Sequence, residues 1–327
     1  MTIPWSDLIA ELPMDADELR EAAEMLRAGG LVAFPTETVY GLGANAFDER
    51  AVARIFEVKG RPADNPLIVH LAGESGLAAV AADIPPLAQR LAARFWPGPL
   101  TLVVPAAPAL PAVVTGGLGT VAVRVPDHPV ALALLDAAGV PVAAPSANRS
   151  GRPSPTTAAH VTDDFGGQID LVLDAGPCEL GLESTVVDAR GDHPVVLREG
   201  AVTREQLGLR PESDGTAADL ATSPGTRHRH YTPRCDVEIA AIGEGPARAR
   251  ALAATGSRVG LVAPRDASGP AIRQLGRYAD AAELGRMLYR TLRAAEKAGV
   301  DIVVVEAVEP IGIGRAVMDR LERAAAR

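Results

Sequence analysis

The segment "DERAVARIFEVKGRPADNPLIVHLA", residues 48–72, indicates the fold class because it contains a helix pattern, a stiff loop and a strand pattern. Asp48 is a typical helix N-cap, Gly60 is a typical residue just after a helix, and an apolar stripe runs between them. Residues 66–72 are mainly apolar, which predicts a buried strand. Similar helix and strand patterns alternate along the chain. They predict a mixed α/β (α+β) protein with a twisted mixed sheet and flanking helices.

A change in composition at Pro211 predicts two domains. Residues 212–233 lack apolar periodicity and are rich in small, polar and turn-forming residues, which is typical of a linker. Strand and helix patterns resume after it. We therefore predict a larger domain over residues 1–211, a linker over 212–233, and a small Rossmann-like α/β domain over 234–327.

The overall composition limits the classes of function. The chain has 327 residues, of which 47% are hydrophobic, so it can bury a large core. A net charge of -9 argues against broad binding to nucleic acid or membrane through bulk charge. The two cysteines, Cys178 and Cys235, are expected to be unpaired thiols in a reducing compartment. The N-terminal residues do not have the pattern of a signal peptide, and we expect a cytoplasmic protein without a membrane segment.

The loop "KGRPADNP", residues 59–66, has two interpretations. Lys59 lies at the C-terminal end of a helix, where a positive charge interacts favourably with the helix dipole. That role requires no ligand. Arg61 lies two residues on, between a glycine and a proline, and the two prolines lower the entropy cost of holding this loop. Two cations at a strand entrance are suited to binding phosphate. We favour a phosphate site.

Other motifs each have a structural alternative. "FPTETVYGLG" is a polar segment after a strand or simply a turn in which Gly41 and Gly43 supply positive φ. "GLGANA" fits a dinucleotide pattern only loosely, because polar residues separate it from the strand. "APSAN" and "GLEST" carry hydroxyl and amide groups suited to a ligand or to a capped turn. "RHRHY", residues 227–231, lacks the partners of a metal site, and we predict a basic linker segment instead.

Five of these motifs occur in an order that resembles one known family. "FPTETVYGLG", "KGRPADNPL", "APSANRSG" and "ESTVVD", together with "SPGTRHRHYTP", resemble the threonylcarbamoyl-AMP synthases of the YrdC type, in the long form that has an extra C-terminal domain. The resemblance covers nearly the whole chain. It implies that L-threonine, bicarbonate or CO2, and ATP are converted to threonylcarbamoyl-AMP and pyrophosphate, for N6-threonylcarbamoyladenosine modification of tRNA. It further implies Mg²⁺ as cofactor, with no side-chain metal site expected, and transfer of the product to a tRNA threonylcarbamoyl-transferase complex.

The resemblance also implies roles for individual residues. The family's K-x-R and S-x-N signature falls on Lys59, Arg61, Ser146 and Asn148, which are the implied catalytic, phosphate-binding residues. Further implied contacts to ATP are Asn65, Thr120, Ser154, Arg198 and Tyr231. The implied contacts to threonine are Thr38, His70, Arg124 and Ser184.

The implied chemistry agrees with these residue types. Negative charge accumulates on phosphoryl oxygens in the transition state, so positioned cations and Mg²⁺ supply most of the catalysis. Because the carbamate intermediate is unstable in water, we interpret the basic linker as a lid. The alternatives are a carbamoyl-adenylate enzyme of hydrogenase maturation, a non-catalytic tRNA or double-stranded RNA-binding protein, and an NAD-dependent enzyme. Contact with tRNA is expected to be weak or indirect.

Overall fold

A computed structural model describes residues 14–209 and 231–326. Within them the chain forms two compact units. The first contains the described residues up to Ser150, with Pro155–Glu179 and the residues from Glu183 to Leu209. The second contains Gly151–Ser154, Leu180–Leu182 and the described residues from Tyr231 onward. The predicted boundary at Pro211, most of the predicted linker and the basic residues 227–230 lie outside the described residues.

The first unit is built on one mixed sheet. Its strands are β1 (Val32–Phe34), β2 (Gly41–Asn45), β3 (Ile68–His70), β4 (Leu100–Pro105), β5 (Thr120–Arg124), β6 (Val142–Ala143), β7 (Leu171–Val172), β8 (Thr185–Asp188) and β9 (Val195–Arg198). Within residues 14–209 these nine strands are ordered β7-β1-β2-β6-β3-β5-β4-β8-β9. The β3–β5 and β4–β8 pairs are parallel, and the β4–β5 pair between them is antiparallel. The predicted mixed α/β class is confirmed.

Helices cover this sheet unevenly. In the first unit they are α1 (Ala16–Arg27), α2 (Glu49–Lys59), α3 (Leu77–Val80), α4 (Pro86–Phe95), α5 (Ala112–Thr115), α6 (Pro129–Ala138) and α7 (Ala158–Phe165). Apolar side chains of α1 and α6 pack with those of β1 and β6 in one cluster, which includes Leu26, Phe34 and Leu134. A larger cluster that includes Ile55, Val69, Leu91, Leu102 and Val123 forms the main core.

The two faces of the central strands differ because side chains alternate along a strand. On β3 and β5, Val69 and Val123 belong to the main core, whereas Ile68 and Ala122 belong to a small separate cluster. Thr120 and Arg124 have the same parity as Ala122 on β5, and His70 has the same parity as Ile68 on β3. One face of the sheet therefore carries polar residues beside a small apolar patch.

The alternative in which Gly41 and Gly43 supply positive φ to a turn is wrong. Both belong to β2, which pairs antiparallel with β1, and neither has positive φ. A glycine is required at position 43 because there is no room for a side chain. A Cβ atom there would lie 2.8 Å from Val142 Cγ1 and 2.9 Å from Phe34 Cε1. Because this segment is a strand, "GLGANA" cannot form the glycine-rich turn of a dinucleotide site.

The second unit contains an all-parallel sheet, as the Rossmann-like prediction implies. Its strands are β10 (Asp236–Ala240), β11 (Val259–Val262), β12 (Ile272–Gly276) and β13 (Ile302–Glu306). The order among the described strands is β10-β13-β11-β12, and every pair is parallel. The helices are α8 (Gly245–Ala254), α9 (Ala281–Ala298) and α10 (Ile313–Ala325).

The expectation of unpaired thiols is confirmed, because Cys178 and Cys235 are free cysteines. The segment "GIGRAV", residues 312–317, lies at the start of α10, since Gly312 directly precedes the first residue of that helix. Across residues 14–209 and 231–326, none of the helices combines the length and the apolar character that a membrane crossing requires.

We predict that Gly43→Ala destabilises the protein by about 1–3 kcal/mol, because its methyl group overpacks β2 against Phe34 and Val142. Gly119→Ala is the matched control, since a Cβ at Gly119 meets no atom within 4 Å. Urea unfolding followed by fluorescence measures both free energies of unfolding. Equal midpoints for the two variants would contradict the packing role of Gly43.

Candidate active site

Lys59 joins the end of α2 to the loop that follows β6. The helix ends there because Asp48 caps its start and Gly60, with φ 60°, adopts the left-handed conformation at its end. The Lys59 side chain is 3% exposed, and its Nζ donates to Ser146 O at 2.6 Å and also to Asn148 O. Burial, and secondarily the neighbouring Arg61, hold the pKa of Lys59 well below its usual range.

Arg61 closes its own loop. Its Nε donates to Asn65 O at 3.1 Å and its Nη2 donates to Pro66 O at 2.8 Å. The guanidinium also lies 6.0 Å from the centre of the Phe56 ring. Asn65 is fully buried in this loop. These contacts hold the loop in one conformation, as predicted from its two prolines.

The S-x-N segment lies against the K-x-R segment. Ser146 Oγ donates to Asn148 Oδ1 at 2.6 Å, and Asn148 Nδ2 donates to Arg149 O at 2.8 Å. The backbone N–H of Ser150 donates to Lys59 O at 2.8 Å. The structure thus brings the four signature residues together, while their catalytic role stays a prediction.

A second polar cluster surrounds Arg124 at the end of β5. The Arg124 side chain donates through Nε to Gly98 O at 3.1 Å and through Nη1 to Thr38 Oγ1 at 2.9 Å. Its Nη2 lies 2.6 Å from Glu37 Oε1. The two side chains of this ion pair are 4% and 5% exposed, so the pair is deeply buried. Burial strengthens the attraction and also makes either charge costly without the other.

His70 is the strand neighbour of Arg124, because the parallel β3–β5 register pairs the two residues. Its ring packs edge-on against Phe34 at 6.0 Å. Burial, and secondarily the Arg124 cation, lower the pKa of His70 to about 3. The imidazole is therefore neutral at physiological pH. Its Nδ1 is buried and has no hydrogen-bond partner among the described residues.

Ser184 belongs to a third group at the start of β8. Its hydroxyl lies 2.7 Å from Thr101 Oγ1, and Arg198 Nη2 donates to Ser184 Oγ at 3.1 Å and to Ser184 O at 2.9 Å. Because Thr185 N donates to Pro99 O and Gly98 N donates to Val125 O, residues 98–101 link this group to the Arg124 cluster.

The predicted residues are spread along a sheet face and do not all meet at one edge. Ile68 pairs with Ala122, so Thr120 is level with Pro66 in the Arg61 loop, whereas Arg124 lies at the other end of β5. Thr120 and Arg124 are four residue steps apart along the strand, which corresponds to about 13 Å. The polar residues therefore form an elongated face with a basic cluster near one end and the Arg124 cluster at the other.

Two predicted residues belong to the second unit. Ser154 is 1% exposed, and Tyr231 is 5% exposed. The Tyr231 ring stacks on Tyr289 with centres 5.3 Å apart, and the Arg320 guanidinium lies 5.5 Å from its centre. The predicted ATP contacts of both residues stay predictions.

Glu37 and Thr101 are site residues that the sequence did not single out. Glu37 was part of the quoted "FPTETVYGLG" segment, but a glutamate in a polar loop gives no sign of burial. The available signal was its position between two threonines directly after a buried strand. Thr101, inside an apolar strand, gave a weaker signal.

We predict that acid destabilises the protein through His70. Its pKa is lower in the folded state than in the unfolded state, so folding stability is lost as pH falls from about 6.5 toward 3. Between pH 7 and pH 5 the loss from this residue is about 2 kcal/mol. Urea unfolding at both pH values should show a smaller loss for His70→Gln. His193→Gln, which changes an exposed histidine in the same unit, should keep the wild-type loss, and equal losses in all three proteins would refute the assignment.

Comparison with known proteins identifies the family. Residues 24–200 match the Sua5, YciO and YrdC family model, described as telomere recombination, and residues 196–326 match the C-terminal domain of threonylcarbamoyl-AMP synthase.

Relatives match both domains. The threonylcarbamoyl-AMP synthase of Pyrococcus abyssi is 46% identical over 94% of each chain, and that of Bacillus subtilis is 43% identical over 98% of this chain and 96% of its own. The crystal structure of P. abyssi Sua5 complexed with L-threonine has a TM-score of 0.88 and 44% identity, and the match covers 95% of each chain. The chain belongs to the threonylcarbamoyl-AMP synthase family, in its two-domain Sua5 form.

Proposed function

We propose that this protein is an L-threonylcarbamoyladenylate synthase. It makes threonylcarbamoyl-AMP and pyrophosphate from L-threonine, bicarbonate or CO2, and ATP. The observation that carries the proposal is the polar sheet face, about 13 Å long, with Lys59 and Arg61 near one end and Arg124 at the other. That arrangement suits one elongated reacting system, with a triphosphate at the basic end and an amino acid at the Arg124 end.

The triphosphate end supplies preorganised cations. Lys59 and Arg61 are fixed by backbone carbonyls, so they require little reorganisation when charge develops on the phosphoryl oxygens. A phosphate close to Lys59 favours the charged form of the lysine, which burial disfavours. Asn65 and Thr120 lie beside this end and contact the nucleotide. The family resemblance also implies contacts to ATP from Arg198, Ser154 and Tyr231.

Mg²⁺ accompanies ATP in this proposal. No group of three or more His, Cys, Asp or Glu residues that could hold a metal occurs in the described residues. Ser146 Oγ and Asn148 Oδ1, 2.6 Å apart, are hard oxygen donors of the type that Mg²⁺ prefers. They fit as supplementary ligands or water-binding groups, with the phosphate oxygens as the main ligands. An ion bound there would supply positive charge that neutralises the departing pyrophosphate.

The amino-acid end recognises threonine. Arg124 offers a planar fork to the α-carboxylate, and a bidentate pair fixes both position and orientation. Thr38 and Ser184 provide hydroxyl groups beside it, and neutral His70 provides an acceptor. The bound N-carboxylate of threonine then attacks the α-phosphorus of ATP, and pyrophosphate leaves.

The product feeds the tRNA modification that the family serves. Because the mixed anhydride hydrolyses readily, we infer a direct transfer to a tRNA threonylcarbamoyl-transferase complex, with little or no contact between this chain and tRNA. The alternative of an RNA-binding protein is disfavoured by burial, since Lys59, Arg124 and Arg198 are all less than 10% exposed. Buried cations cannot follow a nucleic-acid backbone.

Pyrophosphate release tests the function. We expect the purified protein with ATP and Mg²⁺ to release pyrophosphate only when both L-threonine and bicarbonate are present. Lys59→Ala with Arg61→Ala should lower the rate by at least about 10²-fold, since the loss of one preorganised charge-stabilising group costs that much. Arg20→Ala with Arg27→Ala, which removes two cations of α1, is the matched control. Release that does not require threonine would refute the proposal.

The amino-acid end has a separate test. Arg124→Lys keeps the charge but loses the two-pronged geometry, so the KM for threonine should rise about 10-fold or more while the KM for ATP changes little. Steady-state pyrophosphate release at varied concentrations of each substrate measures both constants. A parallel rise in both would place Arg124 outside the threonine site.

A further inference from the structure

Glu37 is a buried carboxylate beside Arg124, and the contacts proposed above for ATP and threonine do not involve it. Its side chain is 5% exposed, and Oε1 lies 2.6 Å from Arg124 Nη2 without the alignment of a hydrogen bond. Oε2 is buried and has no hydrogen-bond partner among the described residues. A buried carboxylate oxygen normally accepts hydrogen bonds. This oxygen is therefore well placed for a donor that residues 14–209 and 231–326 do not supply.

The position of Glu37 identifies the donor. Arg124 is the proposed partner of the threonine α-carboxylate, and Glu37 is next to Arg124. In an α-amino acid the carboxylate and the ammonium group are bonded to the same carbon. A threonine whose carboxylate contacts Arg124 therefore carries its ammonium group close to Glu37. The ammonium group has three N–H donors, and the unpartnered oxygen is an acceptor.

We propose that Glu37 binds the α-ammonium group of threonine and is the general base that deprotonates it for attack on CO2 or bicarbonate. This inference rests on the proposed synthase function. An N–H bond of the ammonium group breaks and its proton passes to the Glu37 carboxylate. The freed lone pair forms a bond to the carbon. With bicarbonate the products are the N-carboxylate and water, and with CO2 a second proton passes from the new N–H to solvent.

Several other groups act on Glu37 electrostatically. They are Arg124, Asp127, His128 and Cys178. Glu179 acts in turn on Asp127 and His128. Asp127 and Glu179 are exposed, His128 is half-buried and Cys178 is buried. All of them remain in a Glu37 variant. A comparison of pH profiles between wild type and variant therefore isolates the contribution of Glu37.

The primary test uses Glu37→Gln. The forward kcat, measured as threonine-dependent pyrophosphate release, should fall about 10²-fold or more, which is the usual contribution of a general base. The rate of the variant should rise with pH more steeply than that of the wild type, because free threonine loses its own proton in alkaline solution. The control is Asp188→Asn, which neutralises another buried carboxylate that lies 2.6 Å from an arginine, Arg190. That control should keep the wild-type rate and pH profile.

The reverse reaction distinguishes a general base from a residue that only positions Arg124. When pyrophosphate attacks the phosphorus of threonylcarbamoyl-AMP, it forms ATP and releases the N-carboxylate, a step that requires no ammonium deprotonation. Glu37→Gln should therefore form ATP from threonylcarbamoyl-AMP and pyrophosphate within a few-fold of the wild-type rate. Equal losses in both directions would show that Glu37 only positions Arg124, and an unchanged forward kcat would also overturn the proposal.

A second variant keeps the test valid if Glu37→Gln does not fold. Removal of the Glu37 charge leaves the Arg124 charge buried, which destabilises the protein. Glu37→Asp keeps the charge but shortens the side chain, so it should fold, lose forward rate and keep the reverse reaction. Thermal unfolding checks the fold of each variant. If wild-type protein itself releases no threonine-dependent pyrophosphate, the synthase function fails. If wild type is active but both Glu37 variants keep the forward rate, only the base assignment fails.

Discussion

The buried ammonium group of Lys59 is the contact on which the basic end of the site depends. It connects two segments that are far apart in sequence, the end of α2 and the loop after β6, through the carbonyl oxygens of Ser146 and Asn148. A buried lysine is costly unless its donors are used. Here the cost is offset by carbonyl partners, and the carbonyls in turn orient the Ser146 and Asn148 side chains. The groups proposed to bind phosphate are thus held in place by the fold itself.

The other end of the site uses the same principle with charges of both signs. Arg124 is buried between the Gly98 carbonyl, the Thr38 hydroxyl and the Glu37 carboxylate. An ion pair of this kind adds little net stability because desolvation cancels much of the attraction. Its value lies in geometry, since a guanidinium that is held at three nitrogens has one orientation. The sheet separates this cluster from Lys59 by a fixed length of strand, so the fold sets the distance between the two ends of the candidate site.

Much of the local structure was predictable from sequence, since Asp48, Gly60 and the apolar stripe between them specify α2 by short-range rules. The four signature residues were predictable as a set only through family resemblance. The strand β2 was not predictable, because "GLGAN" has the composition of a turn and is extended only by its pairing with β1 and β6. Glu37 was missed for a related reason. Burial of the Glu37 carboxylate depends on its ion pair with Arg124, which lies 87 residues away along the chain. No local sequence pattern indicates that contact.

The second unit shows why a fold does not by itself imply a nucleotide site. In a parallel sheet of this type, the backbone N–H groups at the start of a helix commonly bind a phosphate. Here the N–H groups of Gly243 and Gly245, at the start of α8, each donate to the Glu306 carboxylate at 2.9 Å. A Cβ at Gly245 would lie 2.8 Å from Glu306 Oε2, so a glycine is needed for this close approach. The carboxylate of Glu306 accepts the N–H groups that would otherwise be available to a phosphate, and it joins β13 to the loop after β10. The anion-binding capacity of this helix terminus therefore stabilises the second unit.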